Sequence, residues 1–126
     1  MELKEFIQQM KADIERLENM VVEPFRYVVI FKNDRHDTIY ALMDGAYNKI
    51  SEDAQNIMPM PWIDQVLRLR REDADRYAAT HSCIENRKGE RFFAEVVKLI
   101  AYRDMLLADH KRVLATVEKY NQGTQH

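Results

Sequence analysis

The sequence predicts a mainly α protein: a small helical bundle with a long C-terminal helix, the stretch near residues 25–43 leaving room for one short β-hairpin. Three observations carry this expectation. Apolar residues recur every three or four positions over the first helix-sized segment. Only 3 glycines and 3 prolines punctuate 126 residues, too few turn formers for many short strands. From about Glu90 to Tyr120 the chain runs without a breaker and is dense in apolar side chains.

At the N-terminus, Leu3, Ile7, Met10, Ile14, Leu17 and Val21 alternate spacings of four and three, which is a heptad seam. Phe6 and Met20 widen the stripe, while Lys4, Glu5, Lys11, Glu15, Arg16 and Glu18 occupy the remaining surface and supply pairs such as Lys11 with Glu15. The seam covers about three heptads. That length suits a core-facing amphipathic helix, or a coiled-coil seam between two chains.

The segment "EPFRYVVIFKNDRHDTIYALMDG", residues 23–45, reads two ways. Tyr27, Val28, Val29, Ile30 and Phe31 are β-branched and aromatic and suit a buried strand, which needs a partner for its backbone groups. "TIYALM" returns as that partner across the turn-forming "NDRHD", or Asp37 caps a helix to about residue 49 whose apolar positions are Ile39, Leu42, Met43, Ala46, Tyr47 and Ile50. The helical pattern persists longer and is preferred. Ser51 caps a short helix, "EDAQNIM", which "PMPW" stops because proline pushes its predecessor out of helical geometry. Another helix is expected from Trp62 to about Thr80 on Trp62, Val66, Leu67, Leu69, Ala74, Tyr77 and Ala78.

In "HSCIENRKGER" a break falls either at Ser82, three residues before Glu85 in the capping-box arrangement, or at Gly89. The long helix then carries Phe92, Phe93, Val96, Val97, Ile100, Ala101, Met105, Leu106, Leu107, Val113, Leu114 and Val117. Its adjacent apolar pairs make more than one face greasy, so it must be central or shared with another chain. The apolar-free "NQGTQH" is expected to fray. With no repeat, low-complexity tract or linker, the chain reads as a single helical domain over 1–126.

Hydrophobic residues at 46% and charged residues at 32% are those of a foldable globular chain. A net charge of -2 supplies no global attraction to nucleic acid or to an anionic membrane. Cys83 is the single cysteine, which excludes an internal disulfide and a cysteine-based zinc framework built by this chain alone. The N-terminal segment alternates charged and apolar residues unlike a signal peptide, and no segment has the length of a membrane span, so a cytoplasmic protein is expected.

Chemistry concentrates in "RYAATH", residues 76–81. Arg76 and His81 at this spacing resemble the arginine-x4-histidine motif of HEPN-domain ribonucleases, compact helical proteins that cleave RNA without metal at a dimer interface. On that resemblance Arg76 would stabilise charge on the phosphate and His81 would serve in proton transfer. That family usually carries a polar residue directly after the arginine, where this chain has Tyr77. Positions five apart on an unbroken helix lie about 140° from each other, so convergence requires a break near His81. The preferred reading is a solvated Arg76 and a histidine near a helix C-terminus.

Arg68, Arg70 and Arg71 of "RLRR" could contact phosphates, yet Asp64, Glu72, Asp73 and Asp75 flank them and cancel much of their field. His36, His81, His110, His126 and Cys83 form no dense ligand motif, and there is no glycine-rich phosphate loop or GxSxG site. No cofactor is expected. Surplus apolar helix surface and seven methionines point to a helical protein-interaction module, homodimeric, acting as regulator, adaptor or inhibitor through Leu3, Ile7, Met10, Ile14 and Leu17. The alternatives are an RNA-cleaving HEPN-like dimer using Arg76 and His81, and a nucleic-acid binder using Arg68, Arg70 and Arg71. Arg26, Tyr40, Tyr47 and Trp62 are further contact candidates.

Overall fold

The run of β-branched and aromatic residues after Phe25 forms the centre of a sheet. In the computed structural model, which describes residues 2–45 and 57–123, the elements in chain order are α1 (Leu3–Asn19), β1 (Tyr27–Lys32), β2 (Tyr40–Leu42), β3 (Ile57–Pro59), α2 (Arg71–Thr80), β4 (Cys83–Glu85), β5 (Arg91–Lys98) and α3 (Leu99–Gly123). The strands make one curled five-stranded antiparallel sheet, ordered β3-β2-β1-β5-β4. This is an α+β fold. It overturns the mainly α helical bundle with at most one hairpin, and with it the description of the chain as a coiled coil.

Val28, Val29, Ile30 and Phe31 of β1 are each 0% exposed. A central strand covered on both faces shows a continuous apolar run instead of alternation. Its register with β5 sets Tyr27 opposite Lys98, Val29 opposite Val96 and Lys32 opposite Phe93. On one face Val29, Phe31, Leu42 and Phe92 form a core cluster with Ala74 of α2, and Tyr77, Ala78, Ile84, Ala94 and Val96 pack against it. The other face carries Val28, Ile30 and Ala41 beneath and Phe93, Glu95 and Cys83 further along, as the pairings Ile30 with Ala41 and Cys83 with Phe93 require.

Four expected helices change for related reasons. Tyr40–Leu42 pairs with both β1 and β3, so the helix expected from 37 to about 49 is not formed and residues 40–42 within it are a strand; its positions Ala46, Tyr47 and Ile50 lie outside the described residues. Ile57 and Met58 at the end of the expected "EDAQNIM" helix join Pro59 in β3, and the rest of that helix and its cap, residues 51–56, also lie outside. The helix expected from Trp62 begins only at Arg71, because the preceding segment gives its backbone to the sheet: Leu67 N–H donates to Leu42 O (2.9 Å) and Leu69 exchanges hydrogen bonds with Tyr27 (2.8 and 2.9 Å). The long C-terminal helix begins at Leu99, and Arg91–Lys98 is β5. Its adjacent apolar pairs, Phe92–Phe93 and Val96–Val97, are those of a strand with apolar residues on both faces. Of the frayed tail, only residues up to 123 are described, and they are helical.

Two compact units are present, residues 23–102 and the N-terminal segment up to Val22 together with Arg103 onward. In the second, α1 buries Met10, Ile14 and Leu17 and lies antiparallel to α3: Lys11 pairs with Glu118 (3.3 Å) and Glu18 with Lys111 (3.7 Å). Arg103 Nη1 donates to the carbonyl of Leu17 (2.9 Å), which also accepts the Met20 N–H (3.4 Å) where α1 ends.

In the first unit Tyr102, 0% exposed, donates its phenol hydrogen to the Pro61 carbonyl at 2.5 Å. Tyr102→Phe is expected to lose about 1–3 kcal/mol, since the carbonyl is left buried without a donor; urea denaturation measures it. Burial pushes the Tyr102 phenol well above the ordinary tyrosine range. Because the folded-state value is raised, the contribution is fully present below about pH 10, where the unfolded phenol titrates, and is lost as pH climbs above it. The alkaline fall in stability should therefore be shallower in Tyr102→Phe.

Candidate binding site at the loop end of the sheet

Because Lys32 sits opposite Phe93 and Glu85 opposite Arg91, the β1–β2 connection (33–39) and the β4–β5 turn (86–90) meet at one end of the sheet. Each is organised by an asparagine. Asn33 Oδ1 accepts the Arg35 N–H (2.9 Å), its carbonyl accepts the His36 N–H (3.0 Å), and Nδ2 donates to the Arg91 carbonyl (2.7 Å), tying the connection to β5. Asn86 Oδ1 accepts the N–H groups of Lys88 (3.0 Å) and Glu90 (2.9 Å), and Nδ2 donates to Glu90 Oε1 (2.9 Å). Asn86 O accepts the Gly89 N–H at 3.0 Å. Gly89 has φ +78°, a conformation that glycine reaches without steric cost.

His36 Nε2 forms an ion pair with Glu90 Oε2 when the imidazole is protonated, closing a bridge between the two loops. The His36 ring lies 5.5 Å from Phe92, and Tyr40 meets Phe92 edge-on at 4.9 Å. Here a cleft of about 420 Å³ is lined by His36, Thr38, Tyr40, Asn86, Arg87, Lys88, Glu90 and Phe92. Its lining combines hydroxyl and amide groups with two cations, a set suited to holding an anion.

The opposite face at the same end carries a second cleft, of about 590 Å³, lined by Lys32, Asn33, Asp34, Arg35, Phe93, Ala94 and Glu95. Lys32 and Glu95 pair across it at 2.8 Å. The hydrogen bond to Glu95, reinforced by that carboxylate's charge, raises the Lys32 pKa and keeps the ammonium charged. Phe93 supplies the apolar floor and is 55% exposed.

The residues singled out from sequence lie elsewhere. Arg76 is paired with Asp73 (3.6 Å) on the exposed side of α2. His81 is the C-cap of α2, its N–H bonded to Tyr77 O at 2.8 Å, and its ring stacks on Tyr77 at 4.3 Å. The helix does break at His81, but each side chain is held by a different neighbour. Burial raises the Tyr77 phenol above its usual value. Arg68 spreads between Glu23 (3.5 Å), Asp64 (3.7 Å) and the Ile63 carbonyl (3.3 Å). Arg71 pairs with Asp75 (3.6 Å), and Arg70 is the N-cap residue of α2.

Of the seam, Met10, Ile14 and Leu17 are buried, while Leu3 and Ile7 are half-buried. Among the described residues no group of three or more His, Cys, Asp or Glu side chains could hold a metal ion, and no helix is long and apolar enough to cross a membrane. Sequence reasoning missed the His36–Glu90 bridge and both asparagines. The signals were "NDRHD", read only as a turn, and the Asn86-to-Gly89 spacing in "ENRKGE". Compared with models of known protein families, with curated proteins and with solved structures, the chain matches none.

Proposed function

We propose that this chain is a protein-interaction module and that its contact surface is the cleft floored by Phe93. The observation that carries the reading is a large aromatic side chain left 55% exposed on an inner strand, opposite Lys32 on one neighbouring strand and Cys83 on the other. Asp34, Arg35 and the Lys32–Glu95 pair rim it. An aromatic anchor inside a polar rim is the anatomy of a protein-binding hot spot. Of the heptad seam, Met10, Ile14 and Leu17 are buried, in keeping with the core-facing alternative for α1.

The partner proposed is a second copy of this chain, in keeping with the dimer expected from sequence. Light scattering after size exclusion, over a concentration series, is expected to give a dimer for the wild type and a monomer for Phe93→Glu, with a native circular-dichroism spectrum and a melting temperature lowered only by the lost association. A wild-type dimer that survives Phe93→Glu overturns the Phe93 interface. A wild-type monomer at every concentration overturns self-association.

A further inference from the structure

We infer that the cleft between His36 and the 86–90 turn is an oxyanion site that takes a phosphate-type dianion on Arg87 and Lys88. It is carried by observations independent of the Phe93 reading, since Tyr40 and Phe92, which wall it, lie on the sheet face opposite Phe93. Arg87 and Lys88 stand side by side at the tip of a turn whose backbone is bound by Asn86 through the N–H groups of Lys88, Gly89 and Glu90. Among the described residues neither cation has an ion-pair partner, although nearby Lys32 and His36 both do.

Glu90 is the carboxylate in the lining, and its two oxygens are engaged, Oε2 by His36 and Oε1 by Asn86. Glu85 also approaches the turn, its Oε1 lying 3.4 Å from where a Cβ on Gly89 would stand. Within the cleft lining itself, the two cations Arg87 and Lys88 face one carboxylate, Glu90. An arginine fork grips two oxygens of a tetrahedral anion and a lysine adds a point charge. Two cations lining one cleft favour a dianion over a carboxylate. Thr38 and Tyr40 add hydroxyl donors. Because the turn is held by its own hydrogen bonds, binding loses little backbone freedom.

The full-length chain should be titrated with sodium phosphate at constant ionic strength, set with chloride so that screening is fixed, while backbone amide shifts are followed by NMR. Saturable shifts confined to residues 36–40 and 86–92 are expected, with affinity falling at least about tenfold, or 1.4 kcal/mol, in Arg87→Ala/Lys88→Ala. That double variant alters exposed side chains and should melt as the wild type does. Phe93→Glu should leave phosphate binding intact, which separates this site from the Phe93 interface. Shifts that fail to saturate, or that persist at equal affinity in the double variant, overturn the site. A second titration with phosphoserine distinguishes the sources: competition with phosphate assigns the site to a phosphate monoester, and phosphate binding without competition assigns it to the free anion.

Discussion

Phe31→Ala is expected to lower the unfolding free energy by about 3–5 kcal/mol, the range for emptying a large aromatic site in a packed core. Phe31 is 0% exposed and belongs to the cluster that joins β1, β2, β5 and α2. Its removal takes away a contact from the sheet and from the helix that covers it, and neither neighbour can collapse alone without disturbing the ladder to Tyr40 and Ala94. Urea denaturation at 25 °C measures the loss as a lower midpoint at constant slope. A loss under about 1 kcal/mol would mean that this face of β1 is not packed as described.

The second large effect is expected from Ile14→Asp, which sets a carboxylate at a position only 8% exposed on α1. Burying an unpaired polar or charged group there should cost about 3–5 kcal/mol. The decisive feature is concentration: α1 and α3 are bridged by Lys11–Glu118 and Glu18–Lys111 within one chain, so the drop in melting temperature should be the same at every protein concentration. A folded variant with a smaller solution mass, and a drop in melting temperature that grows with protein concentration, would return the seam to an interface between chains.

These two positions also mark what could be read in advance. The seam was legible because an amphipathic helix exposes its period over several turns, and α1 occupies nearly the residues that the spacing indicates, Leu3–Asn19. At Phe31 the run of apolar residues favoured a strand, but the choice of partner depended on residues more than sixty positions away in β5. For Arg91–Lys98 the pattern itself misled. Phe92, Phe93, Val96 and Val97 fit a helix with two greasy faces as well as a strand with apolar residues on both sides, and only the ladder to β1 separates the two.

The loop-end site shows the same division. The turns at "NDRHD" and "ENRKGE" are local and announce themselves by composition. That His36 meets Glu90, or that Asn33 binds the Arg91 carbonyl, follows from strand register alone. Arg76 and His81 attracted notice because they are close in sequence, yet neighbouring side chains on α2 engage them separately.

The sequence by itself determined the amphipathic first helix, the strand-forming character of residues 27–31, the helix end near Thr80, and the single cysteine. Tertiary structure decided that four further segments become strands, that Met10, Ile14 and Leu17 are the buried part of the seam, and which polar residues lie together at the loop end of the sheet. The physical reason is that helical hydrogen bonds close within a few residues and leave a local periodic trace, whereas a strand satisfies its backbone only against partners that the rest of the fold supplies.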